Sequence, residues 1–458
     1  MQKLPAHAAY KESGLPWVGI IPAHWDTRRN RFLFREVDHR SVHGDETHLS
    51  MSQVHGLVPS KSLSRKSLQS ENYAGGKLVE THDLVLNRLK AHLGVFARAK
   101  QSGIVSPDYT VLRPKPGTSV QYCELLFKTP GYVAEFRRRT KGIVEGFWRL
   151  YTDDFYSVSA LLPPADEQET IVAYLRTQDA HIARFIKAKR DLIALLTEQK
   201  LRIIDQAVTR GIDASVTLKP SGIEWLGEIP EHWELRRLKF LASNVTSQIS
   251  TKANDEVYLA LEHIESWTGV ARPLEGEVEF ASTVKRFVID DVLFGKLRPY
   301  LAKVTCASRA GVCVSELLVL RSRKELVLPT FLEQMLRCKR VIDLINSSTA
   351  GAKMPRADWA FIGNMRLPVP PIDEQEQILS FVAYETKDLD EAITRAKHEI
   401  DLIREYRDRL IADVVTGQVD VRDWRPSPDD DVNDEELAAL GDDQDEMAGE
   451  ENSDDEEE

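Results

Sequence analysis

The chain has 458 residues, 42% of them hydrophobic, and a formal net charge of −12 at pH 7. This length predicts two or more domains that each bury their own core. The sequence has neither an apolar run near the roughly 18 residues of a membrane span nor an apolar signal-peptide core in its first residues. We therefore expect a cytoplasmic protein with no membrane partner.

The charge is unevenly distributed along the chain. Residues 429–458 hold 17 acidic residues and no Lys or Arg, which leaves a net charge of +5 on the rest. A block of like charge with little apolar content cannot offset its ordering entropy, so residues 421–458 are predicted to form a disordered acidic tail. A mildly basic body is compatible with nucleic-acid binding, although many cytosolic domains carry a similar charge.

The first distinctive segment is Ser13–Trp25, with the sequence SGLPWVGIIPAHW. Its Gly, Pro and His residues are spaced as in packed turns rather than in a regular element. His24 has no acidic or cysteine partner within the segment, which favours a structural histidine over a catalytic base. The basic run Arg28–Arg31 follows, and packing against the Trp segment and contact with DNA are equally consistent with it.

Short runs rich in Val, Leu and Tyr predict strands at Leu84–Leu86 and Tyr109–Leu112, followed by a helix near Val120–Phe127. After the first of these strands, Arg88 and Lys90 are two cations separated by one residue. A strand that ends in such a loop can present both charges to a phosphate backbone or groove edge, so we predict that Arg88 and Lys90 contact DNA. A solvated turn is the alternative.

A long helix is predicted after the Pro-Pro pair of Pro163–Ile171, whose sequence is PPADEQETI. Asp166 is the predicted N-cap, and the acidic first turn favours the positive end of the helix dipole. Apolar residues then recur at three- and four-residue steps over about five heptads, the spacing of a coiled-coil seam, and Gly211 is the stop. The seam consists of Ile171, Leu175, Ile182, Phe185, Leu192, Leu196 and Ile203, with Gln178, Lys189 and Gln199 as polar interruptions.

The second half of the chain repeats these markers in the same order, at an offset of 207 or 208 residues. Chance similarity would not keep this register, so the sequence predicts a duplicated domain. The matches are Ser221–Trp233 to Ser13–Trp25 at 8 of 13 positions, Asp291–Arg298 to Asp83–Lys90, and Pro370–Ile378 to Pro163–Ile171 at 7 of 9 positions.

The second copy gives corresponding predictions. Strands are expected at Val292–Phe294 and Leu317–Leu320, a helix near Thr330–Ile345, and a second long helix with Asp373 as its N-cap. The loop after the first strand contains the predicted DNA contacts Lys296, Arg298 and Tyr300. The second seam consists of Ile378, Val382, Leu389, Ala392, Ala396, Ile403 and Leu410, with Glu385 and Glu399 as interruptions and Gly417 as the stop.

The two long helices are expected to pair with each other, antiparallel. The first must carry the chain to the second mixed domain, and the second must return if a two-fold axis relates the copies. Two unrelated surface helices are the alternative. The predicted fold is therefore α+β, with two pseudo-symmetric domains (1–164 and 214–371) joined by two long helices (165–213 and 372–420) that form an antiparallel intramolecular coiled coil.

Catalytic signatures are missing from the sequence. It has no GxGxxG or GxxxxGK[ST] loop, Leu162–Ala165 lacks the flanking residues of an adenine-methyltransferase motif, and Pro107-Asp108 lacks the second half of a nuclease motif. No catalytic residue and no metal site are predicted. The four cysteines show neither CxxC pairing nor a nearby His, so we predict that they are reduced and structural: Cys123, Cys306, Cys313 and Cys338.

The repeated order of Trp-Gly-x-Ile-Pro-x-His-Trp, strand-(Lys/Arg)-Leu-(Arg/Lys), Pro-Pro-x-Asp-Glu-Gln-Glu and long helix resembles the specificity subunit of type I restriction–modification systems. The resemblance covers residues 12 to about 420 and implies two target-recognition domains and no activity or cofactor in this chain. It implies as partners double-stranded DNA, two adenine-methyltransferase subunits and restriction–translocase subunits, which would hold S-adenosylmethionine, ATP and Mg²⁺.

Two different domains of this kind would read two different half-sites separated by unread base pairs. Two other interpretations stay open. A single-chain methyltransferase or nuclease of unfamiliar motif would bind S-adenosylmethionine or cut DNA alone. A DNA-independent coiled-coil scaffold would show no salt-dependent DNA binding.

Overall fold

The protein is represented by a computed structural model that describes residues 5–52, 55–62, 73–142, 148–253, 255–276, 278, 283–349, 354–428, 430, 432, 433, 437 and 440. The chain divides into two compact units. Unit 1 comprises residues 1–189 and 398–458, and unit 2 comprises residues 190–397. Most of the predicted disordered tail, residues 421–458, lies outside the described residues, but its first residues are ordered: Val421 is buried in the hydrophobic cluster of unit 1, and Trp424 packs against that cluster.

Unit 1 contains short strands, small helices, the first half of one long helix and the end of a second long helix, and unit 2 contains the complementary parts of both. The strands of unit 1 are β1 (Tyr10–Glu12), β2 (Ile20–Pro22), β3 (Asp26–Arg29), β4 (Phe34–Val37), β5 (Leu49–Ser52), β6 (Gly56–Pro59), β7 (Lys77–Val79), β8 (Leu84–Asn87), β9 (Phe96–Arg98), β10 (Gly103–Val105), β11 (Tyr109–Pro114) and β12 (Ser159–Leu162). Its helices are α1 (Asn30–Leu33), α2 (Val120–Phe127), α3 (Pro130–Arg139), α4 (Thr152–Ser157) and the first half of α5 (Ala165–Arg210).

Unit 2 repeats this order. Its strands are β13 (Leu218–Pro220), β14 (Glu228–Pro230), β15 (Glu234–Arg237), β16 (Ala242–Val245), β17 (Gln248–Ile249), β18 (Val257–Leu259), β19 (Val284–Phe287), β20 (Asp291–Gly295), β21 (Val304–Cys306), β22 (Gly311–Cys313), β23 (Leu317–Ser322) and β24 (Arg366–Val369). Its helices are α6 (Leu238–Leu241), α7 (Pro329–Arg337), α8 (Lys339–Ser347), α9 (Trp359–Ile362) and the first half of α10 (Ile372–Val415).

The main sheet of each unit has the same topology. Its order is β4-β11-β8-β9 in unit 1 and β16-β23-β20-β21 in unit 2, and all neighbours are antiparallel. The register agrees as well, since Tyr109 pairs with Asn87 and Leu317 pairs with Gly295. The duplication predicted from the sequence is therefore confirmed residue by residue in the sheet, and the α+β fold class is confirmed.

A buried aspartate marks the start of one inner strand of each sheet: Asp83 lies directly before β8, and Asp291 is the first residue of β20. Asp83 accepts two hydrogen bonds from the Arg113 guanidinium, at 2.9 and 3.0 Å, and Asp291 accepts two from Arg321, at 2.8 and 2.7 Å. Each carboxylate also accepts a backbone N–H from the turn before it. A buried carboxylate needs such partners, so the Asp of the repeated motif Asp83–Lys90 is explained by the structure.

Opposite ends of the two long helices complete each core. In unit 1, Ile171 and Leu175 near the start of α5 pack in one cluster with Leu410 and Val414 near the end of α10. In unit 2, the cluster contains the end of α5 and the start of α10, with Ile204, Val208, Ile378 and Val382 among its members. The two helices are therefore antiparallel within each unit.

Ion pairs along the helices give the same antiparallel register. Asp179 pairs with Arg407 at 2.6 Å and Lys189 with Glu399 at 2.6 Å in unit 1, and Lys200 pairs with Asp390 at 2.5 Å in unit 2. Partner numbers rise on one helix as they fall on the other. Lys189 and Glu399 were both predicted as polar interruptions of the seam, and they are partners of each other.

Several local predictions hold. The four predicted strands lie within β8, β11, β20 and β23, and the helix predicted at Val120–Phe127 has the bounds of α2. Gly211 and Gly417 follow the two long helices with φ of +79° and +77°, the left-handed conformation in which helices commonly stop.

Other local predictions are wrong. The helices start at Ala165 and Ile372, so Asp166 and Asp373 lie inside the first turn instead of capping it. The single helix predicted at Thr330–Ile345 is two helices, because Cys338 between them is extended, with φ −64° and ψ 144°. In the first seam, Phe185 and Leu192 are exposed, at 39% and 40%.

In the described part of the chain, no helix combines the length and the apolar character that a bilayer crossing requires.

Candidate nucleic-acid interface

The two predicted basic loops occupy equivalent places. In each unit the loop follows the central strand of the main sheet and leads into one turn of 3-10 helix, at Ala91–Leu93 in unit 1 and Pro299–Leu301 in unit 2. The structure thus places Arg88 and Lys90 in one loop and Lys296, Arg298 and Tyr300 in its counterpart. Their role in contacting DNA stays a prediction.

In unit 1 the two cations have different surroundings. The Arg88 side chain is 25% exposed; its Nε donates to the Asp108 carbonyl at 2.6 Å, and Nη2 lies 3.7 Å from the Asp108 carboxylate. Lys90 is exposed, and its backbone N–H donates to the Asn87 carbonyl at 3.2 Å. Lys90 therefore presents its charge to solvent, whereas Arg88 fastens the loop to the turn before β11.

In unit 2 the loop is held by backbone hydrogen bonds. Arg298 N–H donates to the Pro355 carbonyl at 2.8 Å, and Ala357 N–H donates to the Lys296 carbonyl at 2.9 Å. Arg298 is exposed and has φ of +50°, a strained conformation for a residue with a Cβ. Tyr300 is 44% exposed beside it. A fixed backbone with an exposed guanidinium and phenol is suited to contact a phosphate or a base edge.

The basic runs near the Trp segments lie at the surface. Arg28 and Arg29 are exposed on β3, and Arg237 is exposed on β15, where its Nη1 donates to Asn364 Oδ1 at 3.5 Å. These arginines lie outside the buried clusters, but Asn30 in the run Arg28–Arg31 and Leu238 in the corresponding run Arg236–Lys239 are fully buried, so packing and DNA contact both stay open for these runs. The sequence contained a further signal here, because Phe32 and Phe240, 208 residues apart, are 59% and 52% exposed.

The cluster at Arg137–Lys141 has four cations, and two acids partly offset them. Arg138 and Arg139 donate to Glu135 at 2.8 and 2.6 Å, and Lys141 donates to Asp154 at 2.8 Å. The Arg138 and Lys141 side chains are exposed, and the cluster keeps a net positive charge. A surface cluster and a DNA contact particular to unit 1 therefore both stay open.

The histidine of each Trp segment is paired with the acidic motif of the same copy. His24 Nε2 lies 2.8 Å from Glu167 Oε2, and His232 Nε2 lies 2.7 Å from Glu374 Oε2. The sequence did not reveal these partners, because Glu167 and Glu374 lie 143 and 142 residues further along the chain than His24 and His232 and outside the Trp segments. A structural histidine is still the better description, since the pair fixes the Trp segment to the start of a long helix.

This arrangement, which we call the helix junction, also includes a buried tryptophan and the glycine that ends the opposite helix. A Cβ at Gly417 would lie 3.1 Å from the Trp25 ring, and a Cβ at Gly211 would lie 3.3 Å from the Trp233 ring. Each Trp is fully buried. The repeated motifs are therefore the residues that join the start of one long helix to the end of the other.

The cysteines are not placed as nucleophiles. Cys123, Cys313 and Cys338 are buried and Cys306 is half-buried, all as free thiols. Burial raises the pKa of Cys123, Cys306 and Cys313 to about 12, so the reactive thiolate is scarce near neutral pH. This agrees with the prediction that they are reduced and structural.

Two copies of one α+β domain, each closed by opposite ends of two antiparallel helices, define a duplicated two-domain protein whose candidate contact loops recur in both copies. Comparison with known proteins finds similar chains. The chain is 23% identical over 318 residues to the EcoDI type I restriction enzyme specificity subunit of Escherichia coli, which covers 63% of this chain and 68% of that protein. It is 22% identical over 208 residues to the putative MjaX specificity subunit of Methanocaldococcus jannaschii, about half of that protein's length.

A solved structure has a similar fold. A solved chain from work on the assembly and conformational transition of a type I restriction–modification system matches with a TM-score of 0.56 and 15% identity, over 87% of this chain and 99% of that chain. No family model matches the sequence. The chain is a homologue of the specificity subunits of type I restriction enzymes.

Proposed function

We propose that this chain is the DNA-recognition subunit of a type I restriction–modification complex and has no catalytic activity of its own. The observation that carries the proposal is the recurrence of one exposed basic loop, at one place in one sheet, in two otherwise different domains. Lys90 in unit 1 and Arg298 in unit 2 are its exposed cations.

Each unit would read one half of a bipartite site. The loops have the same position and the same sign of charge, so both units would approach the phosphate backbone in a similar way. The side chains of the two loops are nevertheless different: Arg88 and Lys90 in unit 1 correspond to Lys296, Arg298 and Tyr300 in unit 2. Different base-reading surfaces predict different half-sites, and hence an asymmetric recognition sequence.

The partners follow from this role. The chain would position two adenine-methyltransferase subunits and the restriction–translocase subunits on DNA in the cytoplasm, and the cofactors S-adenosylmethionine, ATP and Mg²⁺ would bind to those subunits. The net charge of +5 outside residues 429–458 supports an electrostatic contribution to DNA binding.

The test is DNA affinity as a function of salt in the assembled methyltransferase complex. Lys90→Ala and Arg298→Ala should each lower the slope of log affinity against log salt by about one, because each removes one phosphate contact. The double change Lys296→Ala with Arg298→Ala should lower it by up to about two. Arg88→Ala should also loosen the turn at Asp108, so it is the less clean probe.

Matched controls remove cations that already face an acid. Lys128 pairs with Glu124 in unit 1, and Lys324 pairs with Asp290 in unit 2. Lys128→Ala and Lys324→Ala should leave the salt slope unchanged. If the loop variants behave like these controls, the loops are ordinary surface, and if the complex binds DNA with no salt dependence at all, the scaffold interpretation replaces the proposal.

A further inference from the structure

Three side chains of unit 1 converge at its helix junction: His7 before β1, His24 after β2 and Glu167 in the first turn of α5. The potential ligand atoms all lie within 4.8 Å of one another. His24 Nε2 is 2.8 Å from Glu167 Oε2, and His7 Nε2 is 3.9 Å from Glu167 Oε1. Two atoms bound to one zinc ion at about 2.0–2.1 Å can be at most about 4.2 Å apart, so a small rotation of the half-exposed His24 brings the set into range.

His7 is a buried imidazole without a hydrogen-bond partner. Its side chain is 2% exposed, and neither ring nitrogen makes a hydrogen bond within the described residues. Nδ1 lies 3.6 Å from Asp420 Oδ2, and Nε2 lies 3.9 Å from Glu167, which are both longer than a hydrogen bond. An unpartnered neutral imidazole is costly to bury and is also the form that binds metal.

The donor set selects the kind of metal. Two imidazoles and one carboxylate are ligands that zinc accepts with a fourth position left for water, whereas Mg²⁺ and Ca²⁺ prefer oxygen ligands throughout. His24 and Glu167 also line an open cavity of about 650 Å³ together with Trp424 and Arg425. Water therefore has access to the fourth position.

Asp420 is placed to orient His7. Its carboxylate accepts hydrogen bonds from Arg422 Nε and Nη2 at 2.9 and 2.6 Å. An ionised carboxylate facing the non-ligating nitrogen of a histidine is the usual outer partner of a zinc ligand. Glu167 and Asp420 carry two negative charges, and Arg422 carries one positive charge. The remaining negative charge favours a cation between the two carboxylates.

Unit 2 provides an internal comparison. Ala23 N–H donates to Ala9 O in unit 1, and Glu231 N–H donates to Thr217 O in unit 2. The strand pair β1–β2 of unit 1 therefore has the same register as the pair β13–β14 of unit 2. In that register His7 corresponds to Ser215, whose Oγ donates to Asp213 at 2.7 Å. The His–Glu pair is thus common to both units, and the third ligand is particular to unit 1.

We propose that unit 1 binds one Zn²⁺ ion through His7 Nε2, His24 Nε2 and Glu167, with Asp420 accepting a hydrogen bond from His7 Nδ1–H. The ion would link residues 5–9 to the start of α5 and, through Asp420, to the segment after α10. This site is independent of the DNA-binding role.

The experiment measures zinc binding to the metal-free full-length chain by calorimetry, with Co²⁺ absorption as a second readout of coordination by nitrogen. The wild type should bind one Zn²⁺ per chain at this site. His7→Gln and His24→Gln should weaken binding by more than about 100-fold, and Asp420→Asn by about 10- to 100-fold, since outer partners contribute that much. His232→Gln is the matched control and should bind zinc like the wild type.

Melting temperature separates loss of the site from loss of the fold. Zinc should raise the melting temperature of the wild type and of His232→Gln, each relative to its own melting temperature in EDTA, but not that of His7→Gln. Equal zinc binding by His7→Gln and the wild type would assign the ion to the acidic tail and overturn the proposal. Loss of binding in His232→Gln, or no stoichiometric binding by the wild type, would overturn it as well.

Discussion

The two helix junctions solve the same packing problem with different chain connectivity. In unit 2, the end of α5 runs through Gly211 directly into β13, so one continuous segment joins the helix end to the Trp segment. In unit 1, the corresponding place is filled by two segments distant in sequence, residues 5–9 and 416–424, which meet where Asp420 N–H donates to Pro5 O at 2.8 Å.

The difference shows which contacts the fold requires and which are additions. Trp, His, Glu and the helix-ending Gly recur in both junctions. Unit 1 adds Trp424, whose ring packs edge-on against Tyr174 at 5.5 Å, and the His7–Asp420 contact. Extra contacts appear where no peptide bond holds the segments together, which is where a cross-link between them gains most.

The largest expected effect is the loss of the junction tryptophans. Trp25→Ala and Trp233→Ala should each lower the free energy of unfolding of their unit by about 3–5 kcal/mol, because each removes a fully buried indole. Urea denaturation followed by circular dichroism, with hydrogen exchange to assign the unit, measures the loss. A variant that unfolds like the wild type would show that its junction is not part of the core.

A milder substitution separates the two units. Trp25 Nε1 donates to Glu167 Oε1 at 3.0 Å, whereas Trp233 Nε1 has no hydrogen-bond partner among the described residues. Trp25→Phe should therefore cost about 1–3 kcal/mol more than Trp233→Phe, since it leaves a buried carboxylate oxygen without its donor. Equal costs would mean that the indole bond contributes nothing beyond packing.

The helix pairing predicts a smaller asymmetry. Lys200 and Arg407 lie at equivalent positions of the two long helices, 207 residues apart in the sequence. Their acidic partners differ in exposure: Asp179, the partner of Arg407, is 19% exposed, and Asp390, the partner of Lys200, is 50% exposed. Asp179→Ala should cost about 1–3 kcal/mol, because the largely buried Asp179 carboxylate accepts two hydrogen bonds from Arg407, at 2.6 and 3.0 Å, and both would be lost. Asp390→Ala should cost about 0.2–1 kcal/mol, as for exposed pairs. Urea denaturation of both variants checks the order, and the reverse order would contradict it.

Local patterns predicted much of the fold from the sequence. The runs that became β8, β11 and α2 carry their signal in neighbouring residues, and the duplication supplied a second reading of each. The seam failed where two apolar residues adjoin: the structure buries Ile186, at 2% exposed, in place of Phe185. An apolar pattern with a period of 3.5 residues is satisfied by either Phe185 or Ile186. Contact with the partner helix therefore determines which of the two is buried.

The sites were harder to predict. The loops could be placed because charge and position recur at a fixed offset. The partner of His24 could not, because Glu167 is brought to it by folding across 143 residues. His7 belongs to no repeated motif, so nothing in the sequence separated it from a surface histidine. The extended Cys338 that divides α7 from α8 has no Gly or Pro beside it to mark the break.

The smallest expected effect on stability concerns Phe32 and Phe240. Both are more than half exposed at equivalent positions on α1 and α6, and Lys239 Nζ lies 5.5 Å from the Phe240 ring centre. Phe32→Ser and Phe240→Ser should each change the free energy of unfolding by less than about 0.5 kcal/mol, since little area is buried. A partner that binds in two copies needs the same surface twice, and exposed aromatic residues commonly anchor such surfaces.

If the methyltransferase subunits dock there, each variant should weaken the binding of one subunit by more than about 1 kcal/mol and leave the other bound. Mass measurement of the complex at limiting concentration would then show particles with one methyltransferase subunit in place of two, and the double variant would lose both. Val42, which is 78% exposed, offers the control, because its repeat counterpart at position 250 is Ser and a duplicated partner cannot use it in both units. Full assembly of the double variant, with Val42→Ser unchanged, would place the docking surface elsewhere and leave these phenylalanines as ordinary exposed residues.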